Sequence, residues 1–131
     1  MEILAAEQTL SDSSWFQGTA DAVRKHMGHF LNHRFDYILI LSGDQLYNMN
    51  FHKVLTQHIQ NRAELTVATI PVNREAVADF GIMQIDQEHR IQKFVEKPKE
   101  PEVIDSLKVP ENTCQELNIK ATDDQFLASM G

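Results

Sequence analysis

One cysteine, one tryptophan, two tyrosines, four prolines and five glycines in 131 residues leave several function classes with little to work with. A lone Cys114 cannot close an internal disulfide and has no partners at zinc-ligand spacing, which excludes a disulfide scaffold and a zinc finger. A reducing setting follows, and a cytoplasmic location is expected. No apolar run approaches the length that spans a bilayer, and Met1-Glu2-Ile3-Leu4 lacks the basic start and apolar stretch of a signal peptide, so no membrane partner is expected. Positive charge is short as well. Twelve Lys and Arg stand against 19 Asp and Glu, a net −7 with the histidines neutral. An extended nucleic-acid footprint would work against that field, so none is expected. There is no internal repeat and no low-complexity tract.

What is present reads as one globular domain, with 42% hydrophobic and 24% charged residues. Asp36-Tyr37-Ile38-Leu39-Ile40-Leu41 is a continuous apolar run stopped by Ser42-Gly43-Asp44, the pattern of a strand buried on both faces. Ala20, Val23, Met27, Phe30 and Leu31 recur at helical spacing from about residue 19 to 33. Phe51, Val54, Leu55 and Ile59 do so from about 50 to 61. The β-branched stretch Leu65 to Val72, "LTVATIPV", predicts another strand with Pro71 near its end. Alternating strands and helices argue for a parallel α/β sheet with right-handed crossovers. Beyond it, Phe80 to Asp86 and Arg90 to Val95 flank a polar turn as a β-hairpin. Residues 98 to 123 read as an irregular excursion with one helical turn near Val103 to Leu107. Phe126 to Gly131 reads as a strand cut before a turn, and residues 3 to 6 begin in mid-strand. An excised piece of a larger protein is the expectation.

Three stretches carry candidate chemistry. In "ILSGD", Asp44 leaves a buried strand after a small-residue turn, a place where an aspartate can hold Mg²⁺ or simply cap the next element. In "FVEKP", Glu96 and Lys97 precede Pro98, which is expected to hold Lys97 extended and to orient both side chains. A glutamate can accept hydrogen bonds from sugar hydroxyls and a lysine can neutralise a phosphate, and a solvated charge pair is the plain alternative. In "SWFQGTAD", Gly18 permits a close backbone approach and Thr19 is placed to cap a helix, while Trp15 and Phe16 could instead staple that helix. His26, His29 and His33 share a helical face opposite the apolar stripe, without an acidic companion, so no metal is assigned to them. Cys114 has no activating neighbours in sequence and reads as inert.

Taken in order, "WFQGTADAV" (15–23), "YILILSGDQLYNMNF" (37–51), "FGIMQID" (80–86), "FVEKPKEP" (94–101) and "FLASMG" (126–131) resemble the glucose-1-phosphate adenylyltransferases, or ADP-glucose pyrophosphorylases. The resemblance implies a Rossmann-like three-layer α/β/α nucleotidyltransferase domain with a mixed, mainly parallel sheet, here incomplete at both ends. It implies transfer from ATP to α-D-glucose 1-phosphate with Mg²⁺, giving ADP-glucose and pyrophosphate, and a homotetrameric full-length protein. It matches Asp44 to the catalytic, metal-binding aspartate. Glu96 matches the group that meets the glucose hydroxyls, and Lys97 the one that meets the phosphate. Ser129 and Gly81 match further positions of the glucose pocket. Gln8, Gly18 and Thr19 match the lining of the nucleotide base.

The departures from that pattern also carry expectations. The glycine-rich triphosphate loop, a second metal-binding aspartate and a C-terminal β-helix fall outside these residues, so the 131-residue chain alone is expected not to turn over. Glu7 stands where glutamine is frequent, and Gln17 where some members have arginine. The competing readings are a thymidylyl- or uridylyltransferase, a regulatory subunit that keeps the fold without catalysis, and a binding module with no chemistry.

Overall fold

A computed structural model describes residues 19–43, 45–119 and 124–130. The strand expected near residues 3 to 6 lies outside them. The chain divides into two compact units, residues 1–40 and 41–131.

In the first unit, the helix expected from about 19 to 33 forms in two pieces, α1 (Thr19–Lys25) and α2 (Met27–Phe30). His26 interrupts it with φ −94° and ψ 6° and no side-chain cap. Gly28 lies in the short second piece, where glycine costs about 1 kcal/mol of helix propensity against alanine. Thr19 is the first residue of α1 rather than a cap ahead of it. Asp21 is buried and accepts a 2.6 Å hydrogen bond from Arg24 one turn on. The His29 and His33 rings meet edge to face at 5.7 Å.

The run at 36–41 departs from its expected role. Tyr37 to Leu41 are 44–59% exposed and join no ladder among the described residues. An apolar strand is buried on both faces only where paired neighbours flank it and other layers cover it. The described strands pair with one another instead, so the parallel ladder expected here is not formed among them.

The second unit opens with α3 (Phe51–Gln60), the helix expected from 50 to 61. Asn50 caps it, its side chain accepting from the Lys53 N–H. The strand expected over Leu65–Val72 pairs only from Thr69, as β1 (Thr69–Asn73). A 3₁₀ helix (Arg74–Asp79), capped by Asn73, comes next and was not expected. The hairpin forms as β2 (Gly81–Ile85) and β3 (Ile91–Glu96). Then come α4 (Pro101–Ser106), the expected helical turn, α5 (Glu111–Glu116), which was not expected, and β4 (Gln125–Ser129).

These strands build a four-stranded sheet in the order β1-β4-β2-β3, antiparallel at every pairing. Helices and strands mix, as an α/β chain requires. Pro71 falls on an edge strand, where its missing N–H leaves no central ladder bond unmade. Side chains alternate between faces, and one face carries Val72, Ile82, Phe126 and Ala128, which pack with Val77 of the 3₁₀ helix and with Leu107 just after α4. Phe126, Ile82, Leu107 and Val77 are fully buried. Cys114 is buried in α5.

Two polar devices hold the ends of this unit. Asp86 organises the hairpin turn: its carboxylate accepts from the N–H groups of Glu88 and Arg90, both at 2.9 Å, and from Gln92 at 2.6 Å. The Arg90 N–H bond above all lowers its pKa. Arg74, Asp105, Lys108 and Asp124 form a charge network between the 3₁₀ helix, the end of α4 and the lead into β4. Arg74 reaches Asp105 at 2.6 Å and Lys108 reaches Asp124 at 2.9 Å. The Arg74 hydrogen bond lowers the Asp105 pKa, and the Asp124 hydrogen bond raises that of Lys108. All four groups are solvated, so the network is weak and salt-screened.

Truncating Phe126→Ala is expected to cost about 3–5 kcal/mol through a cavity beneath the sheet, read as a lower midpoint in urea. The charge network sets a pH window. A carboxyl held low contributes stability above its unfolded value, and that contribution is lost as pH falls through the folded value. An ammonium held high contributes below its unfolded value and loses it as pH rises through the folded one. The network therefore acts between the ordinary aspartate value of 3.8 and the ordinary lysine value of 10.5. Asp105→Asn is expected to flatten the loss of stability below pH 3.8, as followed by thermal melts across pH; an unchanged acid slope would remove the network from the account.

Candidate functional site

The antiparallel register gathers the candidate residues of the second unit at one end of the sheet. Gly81 pairs with Glu96 across the hairpin, and Thr69 pairs with Ser129 across β1 and β4. The β2–β4 ladder pairs Ile82 with Ala128, so Gly81 and Ser129 are the next positions along. Thr69, Ser129, Gly81 and Glu96 thus make one row across the four strands. Residues opposite one another share a face, so this row lies on the face away from Val72, Ile82, Phe126 and Ala128.

Gly81 is the low point of that row. A Cβ there would run into the Phe94 ring and come within 2.8 Å of Glu96 Oε2. Glycine is therefore what lets the Phe94 ring and the Glu96 carboxylate lie across β2. Glu96 and Phe94 are both exposed, two residues apart on one strand face. The site offers an open carboxylate beside an aromatic ring, groups that can meet hydroxyls and the apolar side of a small polar ligand.

Lys97 is the next residue, and its backbone is not extended as Pro98 was expected to make it: φ is +45°. The Lys97 N–H donates to Phe80 O at 3.0 Å, which closes the hairpin base one residue beyond the ladder and turns the chain there. Pro98 is buried. Arg62, His89 and Asn118 also have positive φ. Arg62 and Asn118 come just after α3 and α5, the usual left-handed helix ends, and His89 is in the hairpin turn. Lys97 stands apart, a left-handed non-glycine residue beside the candidate row, where such strain costs about 1–3 kcal/mol.

The loop after residue 41 reaches the same end of the sheet through Tyr47. Its hydroxyl accepts from the Ser42 N–H at 2.9 Å and donates to the Met130 carbonyl at 3.0 Å. The Met130 N–H in turn donates to Ala68 O at 3.0 Å. The Tyr47 ring leans on Phe51 in the first turn of α3, with centroids 6.2 Å apart. Asp44 lies outside the described residues; Ser42, two residues before it, and Tyr47, three after it, are joined by the hydroxyl bond. No atom of another part of the chain comes within 4 Å of a Cβ placed on Gly43.

Of the residues singled out in the sequence, Gly81, Glu96, Lys97 and Ser129 come together. Gln8, Gly18 and Asp44 lie outside the described residues, and Thr19 belongs to the first unit. Among the described residues no three His, Cys, Asp or Glu side chains gather to hold a metal. Tyr47, Phe94 and Thr69 join the site without having been singled out. Phe94 has a signal in its two-residue spacing to Glu96; Tyr47 has none, because its partner carbonyl is 83 residues away. A shallow recess of about 30 Å³ between β2 and Leu107–Pro110 has room for about one water and lies away from the row.

The pattern of the nucleotidyl transferase family matches residues 1–131. A glucose-1-phosphate adenylyltransferase small subunit, chloroplastic/amyloplastic, from Triticum aestivum is 40% identical over 131 residues, which is all of this chain and 28% of that protein. The chain thus spans less than a third of the length of that curated relative. With the family pattern matched along its whole length and such a relative at that identity, the chain belongs to the nucleotidyl transferase family.

Proposed function

We propose that the full-length protein carrying this chain transfers the adenylyl group of ATP to α-D-glucose 1-phosphate, giving ADP-glucose and pyrophosphate. The observation that carries the reading is the row Ser129–Gly81–Glu96, with Lys97 next to it, in a chain 40% identical to a glucose-1-phosphate adenylyltransferase small subunit. In the reaction an oxygen of the sugar phosphate attacks the α-phosphorus of ATP. One P–O bond forms, the bond to the bridging oxygen breaks, and the electron pair leaves with pyrophosphate.

Such chemistry asks a protein mainly to position and to neutralise charge. In this reading Glu96 accepts hydrogen bonds from the glucose hydroxyls. Gly81 lets the Phe94 ring and the Glu96 carboxylate lie over β2 beside the sugar, Ser129 supplies a hydroxyl from β4, and Lys97 meets the sugar phosphate. Gln8, Gly18 and Thr19 line the adenine side. Nucleotidyl transferases work with a divalent cation, and the proposal here is Mg²⁺ on Asp44. Mg²⁺ commonly keeps several waters and is held by one or two carboxylates together with substrate phosphates. When bound, the ion offsets negative charge on those phosphates. A homotetramer and a cytoplasmic location belong to the same proposal, the first from the resemblance and the second from the lone cysteine. The wheat relative is itself named a small subunit.

Steady-state kinetics of the full-length protein test the assignment. Lys97→Gln is expected to raise KM for glucose 1-phosphate by about tenfold or more while KM for ATP stays within about twofold. Asp44→Asn is expected to lower kcat by about two orders of magnitude or more. Equal losses for both substrates in Lys97→Gln would remove the lysine from the sugar side. Turnover of UTP or dTTP in preference to ATP would transfer the reading to another sugar nucleotide, and wild-type kcat in Asp44→Asn would end it.

A further inference from the structure

We propose that Tyr47 is a positioning residue for the proposed reaction: its hydroxyl ties Ser42, two residues before Asp44 in sequence, to Met130, the residue after Ser129. This rests on the functional reading above, which names Asp44 and Ser129, and it adds a residue that the reading does not include.

Three observations carry it. The Tyr47 hydroxyl makes two bonds at once, accepting from the Ser42 N–H and donating to the Met130 carbonyl. Those partners directly flank the two functional positions in sequence: Ser42 is two residues before Asp44, and Met130 is the residue after Ser129. Met130 is itself fixed by its N–H bond to Ala68 O, just ahead of β1, so the hydroxyl anchors the turn to the sheet rather than to a loose tail. Separate from these three, and not needed for them, is the contact of the ring with Phe51 at the start of a capped helix.

The chemistry assigns this bracket a defined task. A tyrosine hydroxyl can accept one hydrogen bond and donate another, so it satisfies a donor and an acceptor on two segments together. A residue serving only to fill space would need the ring and not the oxygen. Misplacing a reacting group by about 1 Å can cost on the order of a hundredfold in rate, and the turn at 42–47 is placed by this oxygen over a sequence separation of 83 residues. Tyr47→Phe removes both bonds and keeps the ring.

The experiment compares full-length wild type, Tyr47→Phe and Phe51→Leu. Three quantities are measured for each: kcat and both KM values with ATP and glucose 1-phosphate, the thermal unfolding midpoint, and hydrogen–deuterium exchange at the Ser42 amide. Tyr47→Phe is expected to lower kcat by about tenfold to a hundredfold per folded site, with KM values within about threefold and the unfolding midpoint unchanged. The Ser42 amide is expected to exchange at least about tenfold faster. Phe51→Leu disturbs the ring contact and keeps the hydroxyl, so its kcat is expected to match wild type. Wild-type kcat in Tyr47→Phe would overturn the proposal, as would an unchanged Ser42 exchange rate, or a kcat loss matched by Phe51→Leu. If the wild-type protein does not join ATP and glucose 1-phosphate, the functional reading fails by itself. The Ser42 exchange rate then decides the bracket alone, faster exchange in Tyr47→Phe keeping it and equal exchange ending it.

Discussion

The pairing of β4 between β1 and β2 is the constraint on which the second unit depends. Among the described strands β4 comes last in sequence yet lies inside the sheet, and it joins β1 to the β2–β3 hairpin. Its register fixes two faces at once. Ile82 opposite Ala128 puts the buried side chains over the 3₁₀ helix and Leu107, and the same register sets Gly81, Ser129 and Glu96 in a row on the other side. A slip of one residue would exchange the faces, taking Phe126 away from Val77 and Leu107 and turning Ser129 toward them. Core packing and site geometry are therefore enforced together, and the hydrophobic face secures a polar arrangement that could not secure itself.

That coupling explains why small residues sit where the site does. Along β2, the core face needs bulk, which Ile82 supplies, and the opposite face needs room at its first position, which Gly81 supplies. The Phe94 ring crosses the vacated space and shields a glycine that would otherwise weaken the strand. Glu96 then projects past the ring at the strand's end. One missing side chain thus lets both the ring and the carboxylate lie over β2.

Much of this is legible from residues alone, because it is local. Alternation around a polar turn marks the hairpin, apolar spacing after Asn50 marks α3, and motifs of a few adjacent positions mark the site residues Gly81, Glu96, Lys97 and Ser129. The features that escape such reading depend on distant partners. The parallel ladder expected at 36–41 rests on an apolar run whose burial requires neighbours, and the described strands pair elsewhere. Apolar periodicity runs through His26 and so predicts a continuous helix from 19 to 33, although the chain breaks there and Gly28 weakens the second piece. α5 has too little apolar pattern to be seen in "ENTCQE", since only Thr113 and Cys114 are buried. Tyr47 has no local signature at all. Its role is set by a carbonyl on the far side of the chain.

Lys97 shows a local rule overruled at the base of the hairpin. A residue before proline favours extended backbone, yet Lys97 turns with φ +45° while its N–H keeps the bond to Phe80 O. The ladder between Gly81 and Glu96 holds the Lys97 N–H one residue beyond its last pair, where Phe80 O is the available acceptor. A buried or half-buried carbonyl left without a donor costs about 1–3 kcal/mol, similar to the strain of a left-handed residue. Pro98, the residue after this turn, is buried. The outcome separates the directions of two adjacent charges: Glu96 stays on the sheet face with Gly81, and Lys97 leaves the sheet where the chain turns. Two charges on a regular strand would point to opposite faces. Here the turn at Lys97 frees the ammonium from that alternation, so a cation can stand at the margin of a site whose carboxylate is held by the sheet.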